Sequence, residues 1–599
     1  MGPTLLGHVG AVSGSAISIR QFEGLSSGIA IIGGRSYRVG QVGSFVRLPQ
    51  GYHDLYGVIS EVGANATPEA LLDRSDRGER WMTVQLVGEI LGSSFERGIS
   101  QYPAINDEVH LVTDEDLAAI YGEAGSGHVK VGRLAGAESI DVRLDLDKLV
   151  TRHSAVLGST GSGKSTTVAS LLSSVAAAGE GTDAFPSSRI LLLDIHGEYA
   201  SALEDDATVF RINPREGQEA LHIPYWAVGV SEVLNFLMGN VEGKALTSIL
   251  DKVFEQKQEA AENTDFHGID PHAMTVDTPL PYSLHQLWYD LNENEISTFT
   301  DMARSDPAIE EEGSAEDLRP SKYTAAAAGG GAPFLNNRNV LSIRRQLDQM
   351  RSRLLDRQFG FLLHPGAWEP NTDGEIEADI PQLLENWIGS DKPITILDLS
   401  GVPSTVLNPL IGAILNVVYE ALVWGRETPE GGRMRPLMVV MEEAHRYLGR
   451  DHDNLASFMV QRIVKEGRKF GVGAMIVSQR PSEIDETILS QCGTFISLRL
   501  SNSADRGKVQ AALSDSLSGL MESLPILRTG EAIITGEAAL LPVRCRITLP
   551  PENRRPSSAD PIVSKAWSRD KAKGNYQRPV AAWRAQNPEF EIGEEDQND

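Results

Sequence analysis

From residue 130 onward, short apolar runs alternate with longer stretches of helical spacing. Runs at 153–157, 189–194, 394–398, 437–441, 473–477 and 493–498 read as buried strands. Their alternation with helical patterns predicts a parallel sheet with crossover helices. The stretch from Thr166 to Ala178, rich in Val, Ala and Leu, predicts the helix that follows the first strand. The amino-terminal 115 residues are patterned differently. IAIIGGRSYRVGQVGSFVRL and ERWMTVQLVGEILG are Val-, Ile- and aromatic-rich runs broken by glycines, which predicts a small barrel of five or more strands. YPAINDEVHLVT reads as the last of these strands, and YGEAGSGH (121–128) as a linker.

A long excursion separates the second and third core strands. Within it, SIRRQLDQMRSRLLDRQ places Ile343, Leu347, Met350 and Leu354 on one helical face. Residues 303–335 run through acidic positions into TAAAAGGGAP, which predicts a mobile loop. After about 550 the chain turns polar. The expected organisation is a β-barrel over 1–122, the first part of an α/β core over 130–230, a helical insertion over 231–385, the second part of the core over 386–550, and an arm or tail over 551–599 with an acidic end.

Composition changes this picture little. An apolar fraction of 41% and a charged fraction of 23% suit several globular cores. Two cysteines, Cys492 and Cys545, are too few for a disulfide framework and point to a reduced, cytoplasmic setting. MGPTLLGHVG lacks the pattern of a signal peptide, and no run approaches the roughly 18 apolar residues of a membrane span. The net charge of −28 argues against a surface coated in nucleic acid. It leaves open a ring that is acidic outside and basic in its channel.

The chemistry begins at residues 158–166, GSTGSGKST, which contain G-x-x-x-x-G-K-[ST] between a strand and a helix. Gly158, Ser159, Thr160, Gly161, Ser162, Gly163 and Thr166 supply small residues whose backbone N–H groups can converge on phosphate. Lys164 reaches the β- and γ-phosphates, and the Ser165 hydroxyl ligates Mg²⁺. The bound molecule expected is therefore ATP with Mg²⁺. At PLMVVMEEAH two carboxylates emerge at the carboxyl end of a buried strand. Glu442 is placed to hold the metal through water and Glu443 to polarise the attacking water. Asp194 ends another buried strand and can orient water or metal; His196 beside it has no second ligand at metal spacing and reads as structural. Gln479, just past the strand at 472–477, can sense the γ-phosphate. Arg468 precedes that strand, at the opposite edge of the sheet, and in a ring would reach the next subunit's nucleotide as an arginine finger.

TRHSAVLGSTGSGKSTT, DIHGEY, LHIPYW, MEEAH, KEGRKFG and SQRPSEIDETILSQCGTFISLRLSN together resemble, in order, the motifs of the HerA family of hexameric ATPases, related to the FtsK DNA pumps. The resemblance covers roughly residues 1–550. It implies a RecA-like P-loop core with an N-terminal β-barrel and a helical insertion. It also implies a homo-hexamer moving on double-stranded DNA. By the same resemblance Lys164 and Ser165 match the phosphate loop, Asp194 the acid of the second strand, Glu442 and Glu443 the acidic pair, Gln479 the sensor, and Arg468 the trans-acting arginine. Arg152 matches a family arginine near the intersubunit site.

Family members act with a nuclease in DNA end processing, or sit beside a nuclease or a sirtuin-like NAD-consuming enzyme in anti-phage systems; these residues do not choose between such partners. Lys465, Lys469, Arg344, Arg345, Arg351, Arg353 and Arg357 are the candidates for DNA contact. The alternative reading is an ATP-dependent scaffold that organises and switches an effector enzyme.

Overall fold

The computed structural model describes residues 4–22, 29–32, 34–64, 80–92, 94–121, 127–176, 185, 187–327, 331–336, 339–449, 454–512, 518–558, 561–568, 576–587 and 590. Strands Leu5–Ser13, Ala16–Gln21, Phe45–Pro49, His53–Ala64, Arg80–Leu91 and Glu108–Leu111 form a ring of six, closed where Ala16–Gln21 pairs with Arg80–Leu91. Alternate residues point inward, and Leu6, Val9, Ile17, Val46, Met82 and Val84 fill the interior. A helix, Asp114–Tyr121, follows the barrel where the sequence reading has only strand and linker. Linker residues 122–126 lie outside the described residues. The barrel is tied to the rest of the chain by Arg97. Its guanidinium donates to the Leu540 carbonyl at 3.1 Å and also contacts the carbonyls of Gly536 and Ala539.

The core is one twelve-stranded sheet. Its strands in chain order are β1 (His128–Leu134), β2 (Ala137–Asp145), β3 (Ser154–Leu157), β4 (Ile190–Asp194), β5 (Ala207–Arg211), β6 (Glu219–Ala220), β7 (Ile394–Asp398), β8 (Leu437–Met441), β9 (Val472–Ser478), β10 (Thr494–Ser497), β11 (Glu531–Gly536) and β12 (Val543–Ile547). Their spatial order is β2-β1-β12-β11-β10-β3-β9-β8-β4-β7-β5-β6. From β10 to β6 every pairing is parallel. The four strands β2, β1, β12 and β11 add an antiparallel wing. Six of these strands match the apolar runs of the sequence, whereas the wing and the β5–β6 edge do not.

Strand residues alternate between two buried layers. Leu191, Leu193, Val439, Met441, Ala474 and Ile476 face one layer, with helices α2 (Val230–Met238), α3 (Gly243–Asn263), α4 (Leu284–Ile296), α5 (Arg344–Leu354), α6 (Ile380–Ile388), α7 (Ser404–Trp424) and α8 (Leu455–Glu466). Leu192, Val440, Met475 and Val477 face the other, with α1 (Lys164–Ala176) and barrel residues Phe45, Tyr56 and Val58. Both faces being covered explains why the parallel strands read as unbroken apolar runs. Helix α7 is long and apolar enough, by length and composition, to cross a membrane, contrary to the reading that no run approaches such length. In the fold, 67% of its most apolar window is buried inside the protein.

Two expectations are corrected here. Residues 303–327, expected as part of an unpatterned loop, carry short paired strands. Ile309–Glu311 pairs with Lys322–Tyr323, Thr298–Phe299 pairs with Phe334–Leu335, and Leu318 is buried against the insertion's helices. The acidic residues face solvent on these ribbons, so the polar pattern reflects exposure rather than lack of structure; the glycines at 329–330 lie outside the described residues. The Arg344–Arg357 group is also largely engaged internally. Arg344 donates to the Glu295 carbonyl, Arg351 donates to the Leu318 carbonyl at 2.7 Å, and the Arg353 guanidinium sits 4.7 Å from the Phe236 ring centroid. Toward the carboxyl end, Ser557 N–H donates to the Glu198 carbonyl and Asn213 donates to the Gln586 carbonyl, so the described part of the arm lies on its own chain. The acidic end, 591–599, is outside the described residues.

Gly412 lets α7 touch α8. A Cβ there would come within 2.7 Å of the Leu455 Cβ and 2.8 Å of the Ala456 backbone nitrogen. Gly412→Ala should therefore destabilise by about 1–3 kcal/mol despite the better helix propensity of alanine. Chemical denaturation reads this directly, and an unchanged or higher midpoint would refute the close packing.

Candidate nucleotide site

The phosphate loop runs from the end of β3 into α1. Gly161 and Gly163 have φ of +72° and +95°, conformations that other residues adopt only under strain. The loop is braced from outside. Ser159 N–H donates to the Arg499 carbonyl at 2.9 Å, while the Gly161 carbonyl accepts from the Arg499 guanidinium and the Thr529 hydroxyl, both at 3.2 Å. Gly530 N–H donates to the Ser162 carbonyl at 3.0 Å. The first-turn N–H groups of α1, from Lys164 and Ser165 onward, have no carbonyl earlier in the helix to meet, and the helix dipole places positive potential there. The loop with its helix start is thus a ready anion cradle.

Strand β9 stands between β3 and β8, so its end separates the loop from the acidic pair. There the Thr160 hydroxyl donates to Gln479 Oε1 at 2.6 Å. Past β8 the chain turns sharply at Glu443, whose backbone is left-handed at φ 45° and ψ 43°. The strain of a non-glycine residue there is the cost of aiming Glu443 back at the loop. Lys164 Nζ contacts Glu443 Oε1 and lies 3.9 Å from Glu442 Oε1. His445 Nδ1 lies 3.1 Å from Glu443 Oε2 and 3.3 Å from the Ser478 hydroxyl.

One ammonium cannot neutralise two buried carboxylates. Burial pushes the Glu442 carboxyl up to about 9; Lys164 opposes the shift, and Asp194, Glu443 and Glu198 add to it. Burial also works against ionised Glu443, but the His445 hydrogen bond and the Lys164 ammonium prevail and hold it at about 2. Glu442 Oε2 is buried with no hydrogen-bond partner. An orphaned carboxylate oxygen beside the loop lysine, together with the Ser165 hydroxyl, is a hard oxygen donor set that fits Mg²⁺. Tyr199, fully buried, lies against Ser165 and in the field of Glu442.

Asp194 is placed differently from the expectation of a free ligand. Its oxygens accept the N–H groups of His196, Gly197 and Tyr199 at 3.2, 2.8 and 3.0 Å, and it is completely buried. It holds the turn after β4 and loads negative charge onto Glu442. Arg152 and Arg468 sit apart from all of these residues. They precede β3 and β9 at the amino ends of those strands, whereas the loop and Gln479 follow the carboxyl ends. Arg468 is exposed, and Arg152 lies 3.6 Å from Glu537. The sequence reading missed His445, Arg499 and Thr529. His445 and Arg499 follow carboxyl ends of β8 and β10, so position after a buried strand was the available signal.

A parallel sheet with a phosphate loop at one strand end and a glutamate pair two strands away defines a RecA-like P-loop ATPase. The family model described as the central domain of helicase HerA matches residues 129–418. "DNA double-strand break repair helicase HerA" of Sulfolobus acidocaldarius is 29% identical over 482 residues, covering 80% of each chain. Its namesake from Pyrococcus furiosus is 27% identical over 493 residues, covering 78% of this chain and 77% of its own. Among solved structures, VirB4 of Thermoanaerobacter pseudethanolicus aligns over 72% of this chain and 98% of its own at 14% identity and a TM-score of 0.45, a likeness too loose to argue from. Over these spans the chain is similar to the HerA helicases.

The charge imbalance generates a pH prediction for the nucleotide-free protein. The folded Glu442 carboxyl is raised from 4.5 to about 9, so the wild type loses stability as pH rises through that window. Glu442→Gln keeps a neutral side chain of the same shape. Its melting temperature should meet or exceed that of the wild type at pH 8, with the difference shrinking toward pH 5. Thermal melts across this range check it, and a variant less stable at pH 8 would contradict the assignment.

Proposed function

We propose that this chain is a Mg²⁺-dependent ATPase that works as a homo-hexameric ring on double-stranded DNA in the cytoplasm. The observation that carries this reading is the division of charged residues between two edges of one sheet. Lys164, Glu442 and Glu443 gather at one edge, while Arg152 and Arg468 stand at the other with no phosphate of their own to meet. A ring brings the second edge of one copy to the first edge of the next.

In this scheme Mg²⁺, held by Ser165 and through water by Glu442, would withdraw charge from the β- and γ-phosphates. Lys164 leaves Glu443 for the triphosphate when nucleotide binds. Glu443, freed from its ion pair yet kept ionised by His445, accepts the proton of the attacking water. Gln479 lies where loss of the γ-phosphate changes its bond to Thr160. Arg468 and Arg152 of the neighbouring copy stabilise the charge that develops in the transition state.

The relatives named as double-strand break repair helicases support DNA as the track. Lys465 and Lys469, both exposed near Arg468, are the remaining candidates for phosphate contact. The barrel contributes no residue to the nucleotide site described above, and the amino-terminal region exposes Ile31 and Tyr52. That exposure leaves a surface on which a partner could dock, a nuclease or NAD-hydrolysing enzyme by the family resemblance, and it also supports the scaffold reading. A Lys164→Ala ring that sustains full partner activity would remove ATP from the partner's control.

Two measurements test the motor. Arg468→Ala and Glu443→Gln should each lower turnover by about 10³-fold or more. Mixed one to one, they should regain about a quarter of the wild-type rate, because a quarter of the seams pair an intact Glu443 with an intact Arg468. Failure to recover on mixing would place the arginine in its own subunit's site. Duplex DNA should stimulate ATP turnover irrespective of sequence, with a steep loss of binding as salt rises. Turnover indifferent to DNA would count against translocation.

A further inference from the structure

The insertion holds a side-chain cluster that the ATPase chemistry does not use. His285 lies in the first turn of α4, and His364 and Glu369 lie between α5 and α6. His285 Nδ1 is 3.1 Å from the Glu316 carbonyl oxygen. A carbonyl only accepts, so Nδ1 carries the proton and Nε2 presents a bare lone pair. That Nε2 atom is buried and has no hydrogen-bond partner. His364 repeats the arrangement through its other nitrogen. Its Nε2 is 2.9 Å from the Leu354 carbonyl oxygen and so donates there. The lone pair on Nδ1 then faces Glu369 Oε1 at 2.8 Å. A lone pair and a carboxylate oxygen at that separation repel unless a cation lies between them.

Each imidazole therefore donates one nitrogen to a backbone carbonyl and aims the other inward, the outer-shell arrangement that fixes histidines as metal ligands. One ligand atom from each of the three side chains lies within 4.8 Å of the other two. Tetrahedral coordination at about 2.0–2.2 Å needs separations of about 3.3 Å, within reach of small side-chain rotations. The cluster borders a cavity of about 250 Å³, also lined by Asp317, Leu354 and Arg357, with room for a water as fourth ligand.

We propose that His285, His364 and Glu369 bind a divalent transition-metal ion of the zinc class. Two imidazoles and one carboxylate suit such an ion, while Mg²⁺ and Ca²⁺ prefer all-oxygen sets. The ion staples the start of α4, the turn at Glu316, the end of α5 and the 364–369 segment. It thereby fixes the ribbons of residues 303–327 to the insertion's helices. A proton on His364 is the competing occupant; it satisfies Glu369 but leaves His285 Nε2 without a partner.

Cobalt(II) is the probe. Full-length protein, stripped with chelator and kept free of nucleotide, should take up one Co²⁺ per chain with the visible absorption of tetrahedral coordination, and Zn²⁺ should displace it. His285→Ala and Glu369→Gln should abolish the absorption while far-ultraviolet circular dichroism stays unchanged. Glu442→Gln should retain it, which separates this site from the nucleotide site. If the histidine variant does not fold, Zn²⁺ should still raise the melting temperature of the wild type but not of Glu369→Gln. No Co²⁺ absorption in the wild type, absorption surviving in both cluster variants, or absorption lost in Glu442→Gln would each overturn the proposal.

Discussion

Two carboxylates and one ammonium share a pocket from which water is nearly excluded, and the site's behaviour follows from that imbalance. In bulk water Glu442 and Glu443 would ionise alike. Burial separates them: Lys164 and His445 keep Glu443 charged, and the acids around Glu442 keep it protonated. Their division of labour is therefore set by surroundings rather than by chemical identity. A cation held beside Glu442 would favour its ionised form, so metal binding and ionisation would be linked there. The ion pair between Lys164 and Glu443 also makes the nucleotide-free site self-neutralising, and in the proposed mechanism a triphosphate would release Glu443 by claiming the lysine.

Much of this was legible beforehand, for a physical reason. The phosphate loop depends on small residues in consecutive positions, and the acids directly follow a five-residue apolar strand; both are local patterns. The six parallel strands were legible because burial on both faces leaves them mostly apolar, with polar residues chiefly at their ends. The antiparallel wing escaped notice because strands such as His128–Leu134 and Val543–Ile547 mix charged and apolar residues, as strands with one wetter face do. The ribbons at 303–327 escaped because their acidic residues point to water, and composition alone cannot tell an exposed ribbon from an unstructured loop. His445 was in view within MEEAH, but its contact with Glu443 exists only because that glutamate takes a left-handed turn. The five arginines between 344 and 357 read as candidates for DNA contact, yet three of them are occupied with carbonyls or a phenyl ring of the insertion.

The sheet also separates two kinds of work. Chemistry collects at the carboxyl ends of the parallel strands, where side chains clear the covering helices. The opposite ends carry Arg152 and Arg468, with His153 buried between them and accepting the Ala474 N–H at 3.1 Å. That histidine links the start of β3 to β9, so both arginines are mounted on the sheet rather than on independent loops. Helix α8, packed closely against α7 at Gly412, delivers the second of them.

Strand β11 has one end against the phosphate loop and the other against the barrel. Gly530, immediately before it, bonds the Ser162 carbonyl, and Gly536, its last residue, receives Arg97. Six extended residues between these anchors span about 20 Å and resist compression along their length. A displacement of the phosphate loop would therefore act along this strand toward the barrel. The strand is thus a stiff link between the phosphate loop and the barrel, hydrogen-bonded to a neighbouring strand on each flank.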